Sequence, residues 1–192
     1  MRADAKKNYD QLLAVARDLL SAGGADASLR DIARKAGVGL GTLYRHFPTR
    51  EALLKALLRT SFDALTVRAD ELEASSSPGA ALVAWLRETV AMAHDYSGAI
   101  KSMVAAIEDE ASALHASCVT MKAAGTRLLV RAQGKNQARA DVDGADLFAL
   151  VGALSWVADQ PALASRSDHI FGIIAGAILT DPAQMKSDAT VA

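Results

Sequence analysis

The sequence predicts an all-α protein of about nine helices, with an N-terminal three-helix helix-turn-helix domain and a C-terminal helical bundle. Of its 192 residues 51% are hydrophobic but only 5% are aromatic, a composition that suits closely packed helices better than a β-sandwich. Apolar residues recur every three or four positions, and no segment alternates as a strand does. We expect a helix-turn-helix domain over residues 1–50, a larger helical domain over 51–180 and a mobile tail over 181–192, where apolar periodicity stops.

The first 47 residues predict three short helices. Apolar side chains from Tyr9 to Leu20 form one helical stripe. Ser28 begins a second helix, and Asp31 stands three residues later as in a capping box. Gly37 ends that helix, and a third runs from Leu40 to Phe47 after a tight turn. This order of short helices around a Gly-centred turn is typical of a helix-turn-helix.

Helix-capping and helix-breaking residues separate the six helices predicted for the rest of the chain. Thr49 is placed as the N-cap of a long fourth helix, on which Glu51 and Lys55 can pair. A Ser-Pro-Gly linker ends this helix, and Pro78 suits the first turn of the fifth. The later helices are predicted around residues 100–107, 114–132, 145–159 and 168–179, with a polar loop over 133–141.

Charge is distributed unevenly along the chain. Residues 1–50 hold nine Lys and Arg against five Asp and Glu, whereas residues 51–192 hold twelve against seventeen. A basic N-terminal segment, residues 1–50 (called the head below), followed by an acidic remainder suits a protein whose N-terminal end binds phosphates. Chance asymmetry explains the charges equally well. No apolar run approaches the roughly 20 residues of a membrane span, and the N-terminus lacks a signal-peptide core. A single cysteine, Cys118, excludes an intramolecular disulfide, so we expect a cytoplasmic protein.

The most informative segment runs from Ser28 to Leu54 and reads SLRDIARKAGVGLGTLYRHFPTREALL. It resembles the DNA-binding domain of the tetracycline-repressor-type (TetR) family of regulators, and the resemblance covers about residues 7–58. It implies that Arg30 contacts the DNA backbone or a base edge and that Arg50 holds a phosphate. One position departs from the family pattern, because Gly39 stands where Ser or Thr is common. Glycine is an acceptable N-cap but lacks the side-chain oxygen.

The third predicted helix has the two faces that a recognition helix needs. Val38, Leu43 and Phe47 can dock it on its own domain, while the opposite face carries polar groups. Arg45 can donate two hydrogen bonds to a guanine edge, a contact worth about 1–3 kcal/mol of discrimination. Tyr44 could instead be core, and His46 could simply cap or pack. The DNA-contacting residues predicted for the domain are Arg30, Leu40, Gly41, Thr42, Tyr44, Arg45, His46 and Arg50.

Small residues at every fourth position mark the last two predicted helices. Gly172 and Gly176 have GxxxG spacing, and Ala145, Ala149 and Ala153 repeat the pattern one helix earlier. Such faces let helix backbones approach closely, so two helices from each subunit could form a four-helix homodimer interface. The TetR resemblance implies the same role for these helices. The alternative is packing of the small faces within one chain.

The sequence also offers candidate residues for a small-molecule effector site. The resemblance implies a pocket within the C-terminal bundle, and an apolar pocket favours a hydrophobic or aromatic effector. Large or polar side chains within apolar stripes are the candidates, although each is also a normal core residue. They are Trp85, His94, Met103, Cys118, Met121 and Trp156. Cys118 is more typical of an inert core residue than of a redox sensor.

These observations together predict a ligand-responsive transcriptional regulator, a repressor by the habit of the family, that binds a palindromic DNA operator as a homodimer. No cofactor is expected, and His94, His115, Glu108 and Asp109 match no metal geometry on a helix face. The alternative is a helical small-molecule-binding protein whose head no longer reads specific DNA. An enzyme is disfavoured because no Ser/His/Asp arrangement, phosphate-binding glycine loop or carboxylate pair is recognisable.

Overall fold

The computed structural model describes residues 2–21 and 28–180, and it confirms the all-α fold class. Within these ranges ten α-helices follow one another and no strand occurs. They are α1 (Arg2–Ser21), α2 (Leu29–Lys35), α3 (Leu40–His46), α4 (Arg50–Glu73), α5 (Pro78–Asp95), α6 (Ser97–Ser102), α7 (Val104–Glu108), α8 (Ala113–Gln133), α9 (Gly144–Asp159) and α10 (Ser167–Ile178). A 3-10 turn, Ala164–Arg166, precedes α10. The predicted tail, 181–192, lies outside the described residues.

Local contacts confirm the predicted start and end of α2 and the predicted start of α4, whereas α3 ends at His46, one residue before its predicted end. The Ser28 hydroxyl accepts a hydrogen bond from the Asp31 backbone N–H at 3.1 Å, which fixes the start of α2. Gly37 follows α2 with a φ of +63°, in the left-handed region that favours glycine. Thr49 Oγ1 accepts from the Ala52 N–H at 3.1 Å and caps α4. Local chemistry therefore sets the turn between α2 and α3 and the entry into α4.

The prediction of about nine helices missed a break at Met103. The sixth predicted helix is two short helices, α6 and α7, because Met103 has φ −110° and ψ 9°. The Ser102 hydroxyl donates to the Ala99 carbonyl at 2.9 Å, a local bond that competes with the helical ladder. Apolar periodicity continues through this break, so the pattern alone could not reveal it.

The chain divides into two compact units. The first comprises Met1–Ser61 with Asp95–Cys118, and the second comprises Phe62–His94 with Val119–Ala192. The core of the head lies in the first unit and includes Leu53 and Leu57 of α4. The first half of α4 therefore belongs to the head by packing. The division predicted at residue 50 stays a prediction.

The second unit has its own buried core, contributed mainly by α5, α8, α9 and α10. Trp85, Leu82, Leu128, Leu129 and Leu147 are its largest fully buried side chains. The Trp85 indole N–H donates to the Leu65 carbonyl of α4 at 2.8 Å, so this buried ring leaves no unpaired donor. None of the helices in the described ranges combines the length and the apolar character that a membrane crossing requires.

Candidate nucleic-acid interface and sensing region

Helix α3 has one buried face and one exposed face, as a recognition helix requires. Leu43 is 0% exposed and Phe47 is 2% exposed, so they hold α3 on the core of the head. Tyr44 is 47% exposed and Arg45 is exposed beside it. The interpretation of Tyr44 as a core side chain is therefore not supported. A guanidinium and a phenol next to each other can serve base edges and phosphates.

The other predicted DNA contacts lie on α2, α3 and the start of α4. Arg30 and Gly41 are exposed, whereas Leu40, Thr42, His46 and Arg50 are half-buried. The His46 ring lies 5.9 Å from the Tyr9 ring, in an edge-to-face arrangement with α1. His46 therefore packs within the head while keeping part of its surface accessible.

The two N-caps beside the turn differ in strength. At α2, the Ser28 hydroxyl also donates to Asp31 Oδ2 at 2.6 Å, and Arg34 Nη2 donates to Asp31 Oδ1 at 3.1 Å. The hydrogen bond from Ser28, followed by that from Arg34, holds the pKa of the Asp31 carboxyl below its usual value. At α3, Gly39 has the extended backbone of an N-cap but offers no side-chain hydrogen bond. The recognition helix therefore starts without the stabilisation that α2 has.

The five small residues predicted for a dimer interface are all exposed on the second unit. They are Ala145, Ala149 and Ala153 on α9 and Gly172 and Gly176 on α10. A Cβ on Gly172 or Gly176 would meet no heavy atom of the described chain within 4 Å. Intrachain packing by the described residues therefore does not occupy this face. Trp156 and Ile173 are each 58% exposed on the same two helices.

The candidate effector residues do not share one environment. Trp85 is 0% and Met121 4% exposed in the second unit, whereas Met103 and Cys118 are buried in the first. His94 is exposed, and its Nδ1 lies 2.9 Å from Asp159 Oδ1. Trp156 is mostly exposed, as described above. Only the buried members have the surroundings expected of a bundle interior.

Sequence reasoning missed an open groove in the second unit, between α8 and α9. Its volume is about 690 Å³, and Lys122, Thr126 and Phe148 contribute its largest or polar side chains. A signal was available in the sequence, because Val119, Ala123 and Val130 repeat on the face of α8 opposite its buried stripe. An apolar repeat on an exposed helix face is typical of a surface that binds a ligand or another protein.

Comparisons with known proteins relate both parts of the chain to one family. Residues 12–57 match the family model described as bacterial regulatory proteins, tetR family, and residues 77–176 match that of the C-terminal domain of SbtR-like transcriptional regulators. The chain belongs to the TetR family of transcriptional regulators. A solved TetR regulator from Streptomyces coelicolor is 32% identical with a TM-score of 0.72, over 90% of this chain and 99% of that one. Another, from Mycobacterium vanbaalenii, is 31% identical with a TM-score of 0.68, over 93% and 99% of the two chains.

Curated relatives match a smaller part of the chain than the solved structures do. An HTH-type transcriptional regulator of Staphylococcus aureus is 33% identical over 78 residues, which is 40% of this chain and 41% of that protein. The match thus spans about two fifths of that relative's length. The TetR-family assignment rests on the family models that match both halves of the chain.

Proposed function

We propose that this TetR-family regulator is a repressor that binds a palindromic operator as a homodimer and is released by a small-molecule effector. The observation that carries the proposal is the two-faced α3, with buried Leu43 and Phe47 beneath exposed Tyr44 and Arg45. One head of this size contacts too few base pairs for useful specificity. A two-fold dimer that reads two half-sites supplies the rest.

The exposed face of α9 and α10 supports the homodimer. Small side chains at Ala149, Gly172 and Gly176 leave room for helices of a second subunit, while Trp156 and Ile173 offer apolar area to bury. Two such helices from each subunit form a four-helix interface. The same face on both copies satisfies the symmetry of an isologous contact.

Continuity of α4 supports a mechanism of release. This helix contributes Leu53 and Leu57 to the core of the head, and its residues from Phe62 onward belong to the second unit. There Arg127 donates to Glu73 at 2.7 Å and to Asp70 at 2.6 Å. An effector that repacks the second unit moves these later residues of α4 and thus changes the separation of the two recognition helices. Successive major-groove half-sites lie about 34–36 Å apart, so a small misfit lowers affinity when the effector prefers the misfitted form.

In this proposal the protein acts by binding rather than by catalysis, and it acts in the cytoplasm, where operator DNA is accessible. The family relationship supports this, since neither matched region is described as an enzyme.

The test is selection of bound duplexes from a random pool, followed by a salt titration on the selected sequence. We expect enrichment of a palindrome with a Kd of about 10⁻⁸–10⁻¹¹ M at physiological salt. Salt-sensitive binding of every duplex, with no enrichment, would contradict the operator proposal. It would favour a head that no longer reads specific DNA.

The matched variants are Arg45→Ala and Arg34→Ala, which remove the same charge from neighbouring helices of the head. Arg34 pairs with Asp31 and its side chain is 72% exposed, so it serves as the control. Arg45→Ala should relax the preference at one base pair of each half-site by about 1–3 kcal/mol, whereas Arg34→Ala should keep it. An equal loss of affinity in both variants, with the base preference kept, would show that Arg45 contributes charge alone.

A further inference from the structure

The groove between α8 and α9 has the size and lining of a small-molecule site. Its volume of about 690 Å³ falls within the roughly 300–1,000 Å³ of typical ligand pockets. The residues that decide its chemistry are Val119, Lys122, Ala123, Thr126, Phe148 and Ala149. They supply an aromatic face, aliphatic walls and one cation.

Lys122 sets the charge that the groove can accept. Its ammonium lies 5.8 Å from the centroid of the Phe148 ring, and no carboxylate of the described residues forms an ion pair with it. On the same helix Arg127 pairs with two carboxylates of α4, Asp70 and Glu73. The Thr126 hydroxyl donates to the Lys122 backbone carbonyl at 3.0 Å, so its proton is not available for an anion. A single cation on apolar walls therefore complements a monoanion with an apolar body.

A continuous set of contacts runs from this groove to α4. The Phe148 ring stands edge-to-face on Trp85, with centroids 6.0 Å apart and an interplanar angle of 89°. Trp85 is completely buried and donates its indole N–H to Leu65 of α4 at 2.8 Å. Gly125 permits this arrangement, since a Cβ there would collide with the Trp85 ring. A molecule that displaces Phe148 therefore disturbs the partner of an α4 carbonyl.

We propose that the α8–α9 groove is the effector site and that it binds an amphipathic monocarboxylate. The aryl or alkyl group packs on Phe148 and Ala123, and the carboxylate pairs with Lys122. A displaced Phe148 shifts the Trp85 ring that it contacts, and Trp85 in turn shifts its hydrogen-bond acceptor on α4. The inference rests on the proposed ligand-responsive function and adds to it a location and a ligand class.

The probes are 4-phenylbutanoate and its uncharged counterpart 4-phenylbutan-1-ol, titrated into the full-length chain. The variant Trp156→Phe leaves Trp85 as the sole tryptophan of the sequence, so its emission reports on the groove. We expect the carboxylate to saturate at or below about 1 mM, to change Trp85 emission and to bind about 5–10-fold more tightly than the alcohol. Calorimetry on the unmodified chain should give the same ratio.

Two variants and one control test the residues. Lys122→Gln should reduce the carboxylate-to-alcohol ratio to about 1, whereas Lys135→Gln, on the exposed loop after α8, should keep it. Ala123→Phe should fill the groove and abolish binding of both probes, while thermal unfolding shows that the chain still folds. Equal affinity for acid and alcohol in the Trp156→Phe chain would overturn the inference. So would an unchanged ratio in Lys122→Gln.

A second copy of the chain is the competing occupant, since Ala145 and Ala149 line the groove and also belong to the proposed dimer face. If Ala123→Phe changes the dimer dissociation constant and neither probe binds saturably, the groove is a subunit contact and the ligand inference is wrong. The duplex selection described above distinguishes failure of the groove proposal from failure of the regulator proposal. A palindromic operator without probe binding would leave the regulator proposal standing and remove only this site.

Discussion

Helix α3 and the pair α9–α10 both present exposed surfaces, but the surfaces are chemically opposite. On α3 the accessible side chains are Tyr44 and Arg45, which offer hydrogen bonds and positive charge. On α9 and α10 they are mainly Ala and Gly, with Trp156 and Ile173 adding apolar area. A polar face that carries positive charge suits a hydrated polyanion, and an apolar face of small residues suits another helix.

The two surfaces also differ in how far apart in sequence the residues that form them lie. The α3 face is complete within residues 40–47, because one short segment supplies both its anchors and its exposed side chains. The groove between α8 and α9 needs Lys122 and Phe148, which are far apart in sequence and meet only after folding. A motif can therefore identify the first surface and not the second.

The largest expected effect concerns the apolar face. Gly176→Leu adds a branched side chain where a Cβ meets no described atom, so the fold of one chain should tolerate it. The side chain would instead separate the α10 helices of two subunits. We expect a monomer by light scattering and a loss of operator affinity of at least about 100-fold, because two half-sites are no longer read together.

The control for that variant is Ala80→Leu, which places the same side chain on the exposed surface of α5. It should remain dimeric and bind the operator normally. A dimeric Gly176→Leu variant with normal affinity would move the interface away from α10.

Two helical glycines sharpen the contrast between buried and exposed positions. Gly125→Ala should destabilise the chain by about 1–3 kcal/mol, because the new methyl group collides with the buried Trp85 ring. Gly152→Ala should stabilise α9 by about 0.5–1 kcal/mol, since its Cβ position is open and alanine favours the helix. Urea unfolding of both variants measures the difference. A Gly125→Ala variant as stable as the native chain would mean that Trp85 repacks at no cost.

The sequence was most informative where one local interaction decides the structure. The Ser28 and Thr49 caps, the left-handed Gly37 and the Glu51–Lys55 pair, 2.8 Å apart, were all predictable from spacing. Each depends on residues no more than four positions apart.

Where tertiary packing decides, the sequence was less informative. Helix α9 is apolar on nearly every side, so periodicity could not tell that Trp156 is exposed while Leu147 is buried. The break at Met103 likewise leaves the apolar spacing unchanged. Lys122 could not be predicted as a site residue, because only the folded chain places the Phe148 ring of another helix beside this surface lysine.

A smaller effect is expected at the two N-caps of the head. Ser28→Ala removes the side-chain cap of α2 and should destabilise the head by about 1 kcal/mol. Gly39→Ser adds a cap oxygen at α3 and should stabilise it by a few tenths of a kcal/mol. Hydrogen exchange of the α3 amides measures the second change directly. Unaltered protection in Gly39→Ser would show that packing of Leu43 and Phe47 already holds the helix start.

The smallest expected effect is the pH dependence that Asp31 contributes. Its folded pKa is lowered by the hydrogen bonds from Ser28 and Arg34, so the carboxylate stabilises the head above the unfolded pKa, and this contribution disappears as pH falls through the folded pKa. The stability difference between the native chain and Asp31→Asn should therefore be largest at neutral pH and shrink below about pH 4. Urea midpoints from pH 3 to pH 7 measure this trend. In a Ser28→Ala background the same comparison should be flatter, because the hydrogen bond that contributes most to the lowered pKa is gone. A difference that stays constant with pH would show that the carboxylate acts through its shape and hydrogen bonds rather than its charge.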